Sequence, residues 1–349
     1  MNLTKRIEVF GKLSDYLINF QINNISTNDN LKNAINLASL HNRWFTIDNI
    51  FYAISSIAKS IEKQSVEDWI KNYDYPENVE NIQKIAVIMA GNLPLVGFFD
   101  FFYVLLSGNH VIAKLSSDDK YLLPAIVDKL IEFDAEFAEL ITFTESKLIN
   151  FDAVIATGSN NTARYFEYYF GKYPHIIRKN RNGVAVLSGN ESNKELTALG
   201  NDITRYFGMG CRNVSKLYLP KDYNFNNMLE LLSEFKHILD SSKYYNNYEY
   251  YKSIYLINLL PFYDNGSVIL KEEKLISSPI SVIYYEFYDS IEVLNEYLVL
   301  NKDQIQCIVS NNTMISNAIS FGNAQTPGLM DYADGVDVMD FLLTLNKDK

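Results

Sequence analysis

Lys84-Ile-Ala-Val-Ile-Met-Ala-Gly-Asn-Leu-Pro94 is the stretch on which the reading of this chain turns. From Ile85 to Ala90 it is a short, unbroken apolar run, the pattern of a buried parallel strand. Gly91 and Asn92 interrupt it, and Pro94 suits the first turn of a helix running to about residue 106. Ser107-Gly108-Asn109 then carries turn chemistry, and His110-Val-Ile-Ala-Lys114 reads as the next strand. Ser116-Ser117-Asp118 is expected to cap a helix to about 134. Asp152-Ala-Val-Ile-Ala156 is a third strand, and Thr157-Gly158-Ser159 leads into a helix over about 161–171. Strand, turn and helix, three times over, predict right-handed crossovers and a parallel sheet, hence an α/β fold. Upstream, residues 3–22 and 31–66 read as helices, the second with Trp44, Phe45, Ile50 and Phe51 on an apolar stripe.

The whole chain has 349 residues, room for two domains at roughly 150 residues each. Its 31 Lys and Arg against 42 Asp and Glu leave a net charge of −11. That excludes a grip on nucleic acid or anionic membrane through bulk charge, while allowing a local basic pocket for one phosphorylated cofactor. Two cysteines, Cys211 and Cys307, build no disulfide framework. The N-terminus has charges throughout and no unbroken apolar segment, unlike a signal peptide. The most apolar stretch, Leu93 to Leu106, is cut by Asp100 and falls short of the ~20 residues a bilayer needs. A soluble cytoplasmic protein is the expectation. The four histidines (His41, His110, His175 and His237) are scattered, so no metal site is expected. The run Tyr244-Tyr-Asn-Asn-Tyr-Glu-Tyr-Tyr251 reads as a helical packing face rather than a stacking platform for bases.

In open α/β sheets, ligands gather at the carboxyl ends of strands, beside helix N-termini. Here those ends carry Asn92, Lys114 with Ser116, and Gly158-Ser159, groups suited to a phosphorylated ligand. No G-x-G-x-x-G and no G-x-x-x-x-G-K-[ST] follows any strand, so neither usual phosphate fingerprint is present.

In their order these residues resemble the aldehyde dehydrogenase superfamily. Gly91-Asn-Leu-Pro-Leu95 is similar to its N-F-P segment, and Leu106-Ser-Gly-Asn-His-Val-Ile-Ala-Lys-Leu-Ser-Ser117 to its A-x-G-N-x-V-x-x-K-P-S-E strand. Thr157-Gly158-Ser159 matches its T-G-S turn, and Phe207-Gly-Met-Gly-Cys211 its G-Q-x-C nucleophile loop in position and partly in letters. Glu272-Glu273 before Pro279, then Phe287-Tyr-Asp-Ser290, resembles E-E-x-F-G-P…F-D-S with a slipped register. Gly322-Asn-Ala-Gln-Thr-Pro327 and Asp331-Tyr-Ala-Asp-Gly335 are closer to one branch, the acyl-CoA reductases related to the LuxC fatty-acid reductase. The resemblance runs from about residue 80 to 340.

It implies two parallel-sheet α/β domains with the active site in the cleft between them. Residues 1–185 would bind the cofactor, with 326–349 returning to them, and 186–325 would carry the nucleophile. Cys211 would attack a thioester carbonyl and form an acyl-cysteine. Gly208 and Gly210 allow the tight loop that exposes its sulfur, and Arg212 favours the thiolate. Asn92 would donate to the oxyanion, in competition with a simple Asx turn. Lys114, Ser116, Ser117, Gly158 and Ser159 would hold the cofactor. Ser117 stands where the family has an acid for the ribose 2′-hydroxyl, which leans toward NADPH, while Asp118, one residue later, could still reach inward and keeps NADH as the alternative. The family's hydrolytic members carry a general base in a segment matching Ile177-Arg-Lys-Asn-Arg-Asn-Gly183, which has no carboxylate. Without a base to activate water, the reductive direction is favoured: acyl-CoA or another acyl thioester to aldehyde. Arg178, Lys179 and Arg181 read equally as contacts to coenzyme A phosphates or as a solvated turn. Phe98 to Tyr103 reads mainly as core, with an acyl tunnel as the alternative, and Cys307 as a structural strand residue. Glu191 and Glu195 read as surface helix charge. A homodimer and an acyl-transfer partner protein are further expectations. Two rival readings stay open. One is a catalytically silent binder of acyl thioesters or a partner; the other is an aldehyde-oxidising dehydrogenase using a carboxylate such as Glu272.

Overall fold

The computed structural model describes residues 1–20 and 29–347. The chain divides into two compact units, Met1–Lys179 with Pro327–Lys349, and Asn180–Thr326. A division at 185/186 would cut a strand that belongs wholly to the second sheet, so it falls earlier.

The first unit begins with four helices, α1 (Leu3–Asn19), α2 (Asn30–His41), α3 (Ile47–Ser60) and α4 (Lys63–Ile70). The last two positions of the helix expected over 3–22 lie outside the described residues. The single helix expected over 31–66 is three helices, because capping side chains overrule the apolar stripe. Asn42 takes the Trp44 amide onto its side chain, and the Thr46 hydroxyl accepts from the Asn49 amide to start α3.

A five-stranded sheet follows, made of β1 (Lys84–Ile88), β2 (His110–Lys114), β3 (Ile141–Phe143), β4 (Ala153–Thr157) and β5 (His175–Arg178), with helices α5 (Phe98–Leu106), α6 (Leu122–Phe133) and α7 (Asn160–Phe170). Its order is β3-β2-β1-β4-β5 and every pairing is parallel. The connections reverse direction between β1 and β4, the crevice where ligands bind in open α/β sheets. The short edge strand β3 is largely exposed and carries no unbroken apolar run in the sequence. The sequence reading started two helices early. Residues Pro94 to Gly97 form a turn with Leu95 at φ 59°, so α5 begins at Phe98. Ser116 caps no helix; its hydroxyl accepts from the Asp118 amide in a turn, and α6 begins at Leu122.

Helix α5 is apolar all round and buried on nearly every side, as a helix through the middle of a core must be. Phe98, Phe102 and Tyr103 pack against Phe10 of α1, Trp69 of α4 and one another, and Phe101 is buried in the same core. The aromatic run is therefore core. Its one charge, Asp100, forms a buried ion pair with Arg178 at the end of β5.

The second unit holds β6 (Asn182–Val186), α8 (Asn193–Thr204), β7 (Val214–Pro220), α9 (Asn226–Leu232), α10 (Ser242–Ile257), β8 (Tyr263–Asp264), β9 (Ile269–Glu272), β10 (Val282–Tyr288), α11 (Ile291–Leu300), β11 (Ile305–Val309) and β12 (Ala318–Ile319). The sheet order is β12-β11-β6-β7-β10-β9-β8, parallel except for the β8–β9 edge. In α10, Tyr244 and Tyr248 are buried and Tyr245 and Tyr250 exposed, so the tyrosine run is a packing face. The chain then returns to the first unit, where α12 (Val338–Lys347) packs on α5. No described helix is long and apolar enough to cross a membrane.

Candidate active site

In the first unit, the residues expected to hold a cofactor follow the carboxyl ends of β1, β2 and β4. Asn92 is exposed in the bend after β1. Gly91 lies so close to Ser116 that a Cβ there would overlap the serine side chain, which locks the two strand-end loops together. The Leu95 amide, in its left-handed turn, donates to Asp119 Oδ2 at 2.7 Å. Lys114 Nζ donates to the Ser146 carbonyl at 2.9 Å. Ser117 is exposed, and its carbonyl oxygen lies 2.9 Å from His41 Nε2. Gly158 leads into α7, where the Ser159 hydroxyl accepts from the Thr162 amide at 3.2 Å and caps the helix. A helix N-terminus carries partial positive charge and suits an anionic group. These loops thus place a cation, hydroxyls, an amide and a helix N-terminus along one edge of one sheet.

Cys211 belongs to the second unit and has the opposite relation to its sheet. It is exposed, in no disulfide, and sits at the amino end of β7. The three residues Tyr206 (φ 52°), Phe207 (φ 60°) and Gly208 (φ 74°) before it are all left-handed. For the two aromatics that conformation costs about 1–2 kcal/mol each and persists only where surrounding contacts enforce it. Asn213 supplies them. Its Nδ2 donates to the carbonyls of Asp202 (2.9 Å), Arg205 (2.8 Å) and, more weakly, Ile203 (3.3 Å), while its Oδ1 accepts from the Gly210 amide at 2.8 Å. Arg212 Nε donates to the Ala324 carbonyl at 2.5 Å. Beneath, Gly183 on β6 faces the carbonyls of Arg212 and Asn213, which a Cβ there would meet at 2.6 and 2.8 Å. Only glycine lets the loop settle so near the strand. Cys307, on β11, lies 3.7 Å from the Arg212 carbonyl, a strand residue as expected.

Two buried carboxylates stand behind these loops. Burial pushes Asp119 up to about 7, opposed only by the Leu95 amide, and its Oδ1 has no partner among the described residues. Burial likewise pushes Asp202 up to about 6, opposed by the Gly322 and Ala324 amides and by Arg212. The sequence reading missed Asp119, Asp202 and Asn213. Their partners lie from a few to 122 residues away, and the nearby Gly-Cys-Arg-Asn run was the one local signal.

Two other expectations change, and Glu195 remains a helix charge. Arg178 is buried against Asp100, so it is not a contact for coenzyme A; Lys179 pairs with Glu167, and Arg181 reaches the Lys302 carbonyl. Glu195 is the return half of a capping box with Ser192 at the start of α8. Glu191 lies in the loop before it, accepting from Ser188 and Gly189.

The sequence model of the family described as Acyl-CoA reductase (LuxC) matches residues 15–247, more than half of the chain. The match begins within α1, takes in α2 to α4 and stops before the Gly322–Gly335 segment. Long-chain acyl-protein thioester reductase 2 of Photobacterium leiognathi is 22% identical over 226 residues, which is 58% of this chain. The chain spans about half the length of that curated relative, 47%. Among solved structures, an indole-3-acetaldehyde dehydrogenase in complex with NAD+ superposes with a TM-score of 0.65 at 15% identity, covering 92% of this chain and 76% of the other. Aldehyde dehydrogenase 21 from Physcomitrella patens, in complex with succinate, gives 0.65 at 10% identity over 99% and 84%. The chain belongs to the acyl-CoA reductase (LuxC) family, on an aldehyde dehydrogenase fold.

Proposed function

We propose that this chain reduces an acyl thioester to an aldehyde, with Cys211 as the nucleophile and a reduced nicotinamide as the hydride source. The observation that carries the reading is the exposed cysteine on a left-handed loop tied down by Asn213 and Arg212. Family membership and the likeness to a thioester reductase support it.

The Cys211 thiolate attacks the thioester carbonyl and forms a C–S bond. The donor thiol departs with its electron pair, leaving an acyl-cysteine. Backbone amides of the loop and the Asn92 amide are the donors assigned to the oxyanion. A bound reduced nicotinamide would supply the hydride that no side chain can. Lys114, Ser116, Ser117, Gly158 and Ser159 would hold it; their fit rests on the switch-point position, the exposed hydroxyls and the α7 N-terminus. Once the acyl-cysteine is reduced, its C–S bond would break, Cys211 keeping the electron pair as thiolate while the aldehyde leaves. The segment 177–183 offers no carboxylate to activate water, which favours reduction over aldehyde oxidation. Ser117 in place of an acid favours NADPH over NADH.

The test is oxidation of reduced nicotinamide with acyl-CoAs from acetyl to palmitoyl, with Cys211→Ala alongside. Turnover is expected to depend on the thioester and to fall on the order of 10⁴-fold or more in the variant. Unchanged turnover in Cys211→Ala sinks the nucleophile. Turnover with acylated carrier protein but with no acyl-CoA would assign an acyl-protein donor. Binding of both ligands without turnover would support the silent binder instead.

A further inference from the structure

Asp202 is 1% exposed, near the end of α8, nine residues before Cys211 in the chain. Both of its carboxylate oxygens are taken by backbone amides of one loop. Oδ2 accepts from Gly322 at 2.6 Å, and Oδ1 accepts from Ala324 at 3.0 Å. The carbonyl of that same Ala324 accepts from Arg212 Nε, next to the cysteine. The Asp202 carbonyl accepts from Asn213, whose side chain also fixes the Gly210 amide. Asp202 therefore reaches the residues on both sides of Cys211, once through its backbone and once through its side chain and the 322–324 loop.

We propose that Asp202 is a positioning residue for Cys211, its carboxylate setting the 322–324 loop that in turn fixes Arg212 and the sulfur. The inference rests on Cys211 being the nucleophile. A carboxylate is required because two N–H donors converge on its two oxygens; an amide in its place offers one acceptor and turns an N–H₂ toward the other donor. The unsatisfied amide would displace the loop, and Arg212 with it. A displacement of about 1 Å at a reacting atom costs on the order of 10²-fold in rate.

The experiment compares wild type, Asp202→Asn and Arg212→Lys, with Cys211→Ser as the reference. The readouts are kcat and KM for the acyl thioester, the rate of Cys211 alkylation by iodoacetamide, and the affinity for reduced nicotinamide as a measure of folded protein. Asp202→Asn is expected to lower kcat and the alkylation rate on the order of 10²-fold, with KM and cofactor affinity within about twofold. Arg212→Lys, which keeps the charge but loses the guanidinium Nε, is expected to do the same in part. Combined with Asp202→Asn it should add little, since both cut one linkage. A variant that loses only thermal stability, with kcat and alkylation unchanged, overturns the proposal. If Asp202→Asn does not fold, unchanged kcat and alkylation in Arg212→Lys overturn it in the same way. Full turnover in Cys211→Ser would bring down the nucleophile reading instead, so the two failures are told apart.

Discussion

In the first unit, the residues assigned to the cofactor follow β1, β2 and β4, at the carboxyl ends of parallel strands, where open α/β sheets collect ligands. In the second, Cys211 precedes β7 and stands at the amino end of its strand. The first arrangement needs little beyond the sheet itself, because strand ends and a helix N-terminus supply the amides and the cation is a single lysine. The second has no such general scaffold. Its loop runs through left-handed aromatics and is held by Asn213, Arg212 and the room left by Gly183. One candidate site is a by-product of topology, and the other is built bond by bond.

Two of the buried carboxylates, one in each unit, are held differently, and that contrast gives the largest expected effect. In the first unit Asp100 meets the Arg178 guanidinium; in the second Asp202 meets backbone amides, with Arg212 only a neighbouring charge. Asp100→Ala leaves Arg178 as an uncompensated buried charge and is expected to cost about 3–5 kcal/mol, read from denaturant midpoints. Replacing both partners, Asp100→Leu with Arg178→Met, should recover most of that loss. If the single variant is as stable as wild type, the pair is not the anchor of α5 on β5.

The same contrast explains what could be read in the sequence. The parallel sheet was legible because β1, β2 and β4 are apolar runs punctuated by Gly91, Gly108 and Gly158, a local pattern. The edge strand β3 lacks it, since exposure dilutes the apolar signal. Helix starts went astray where polar side chains had two uses: Ser116 makes a turn rather than a cap, and Thr46 splits what an apolar stripe had joined. Cys211 stood out through its glycines. Asp202 did not, because its partners at 322 and 324 are brought to it only by the fold. Arg178 was misread for the same reason, as its partner Asp100 is distant in sequence and both are buried.

A smaller effect tests the cofactor side. Ser117, proposed to face the cofactor ribose, is exposed after β2, and an acid there would accept from a 2′-hydroxyl and repel a 2′-phosphate. Ser117→Glu is expected to shift the ratio of kcat/KM for NADH over NADPH by about tenfold toward NADH, equivalent to about 1.4 kcal/mol. A ratio that does not move would place the ribose elsewhere and weaken the NADPH preference.

An effect of similar size sets the two amide-held carboxylates side by side. Burial raises Asp119 from 3.8 to about 7 and Asp202 from 3.8 to about 6. A raised carboxyl means that the folded chain keeps a proton the unfolded chain has released. The stability this contributes is complete below pH 3.8 and is lost as pH rises through the folded value: through about 6 for Asp202 and about 7 for Asp119. Asp119→Asn keeps an oxygen for the Leu95 amide without the charge. The variant should therefore exceed wild type by about 1–2 kcal/mol near pH 8, less than the full linkage of the shift because water and relaxation soften a buried charge. The advantage should shrink as pH falls toward 4. The part of the pH slope that belongs to Asp202 should remain in the variant, so its stability would still decline between about pH 4 and 6. Chemical denaturation across that range separates the two. A variant that matched wild type at every pH would mean that the loop behind Asn92 opens to water at Asp119 and is held less firmly than the loop at Cys211.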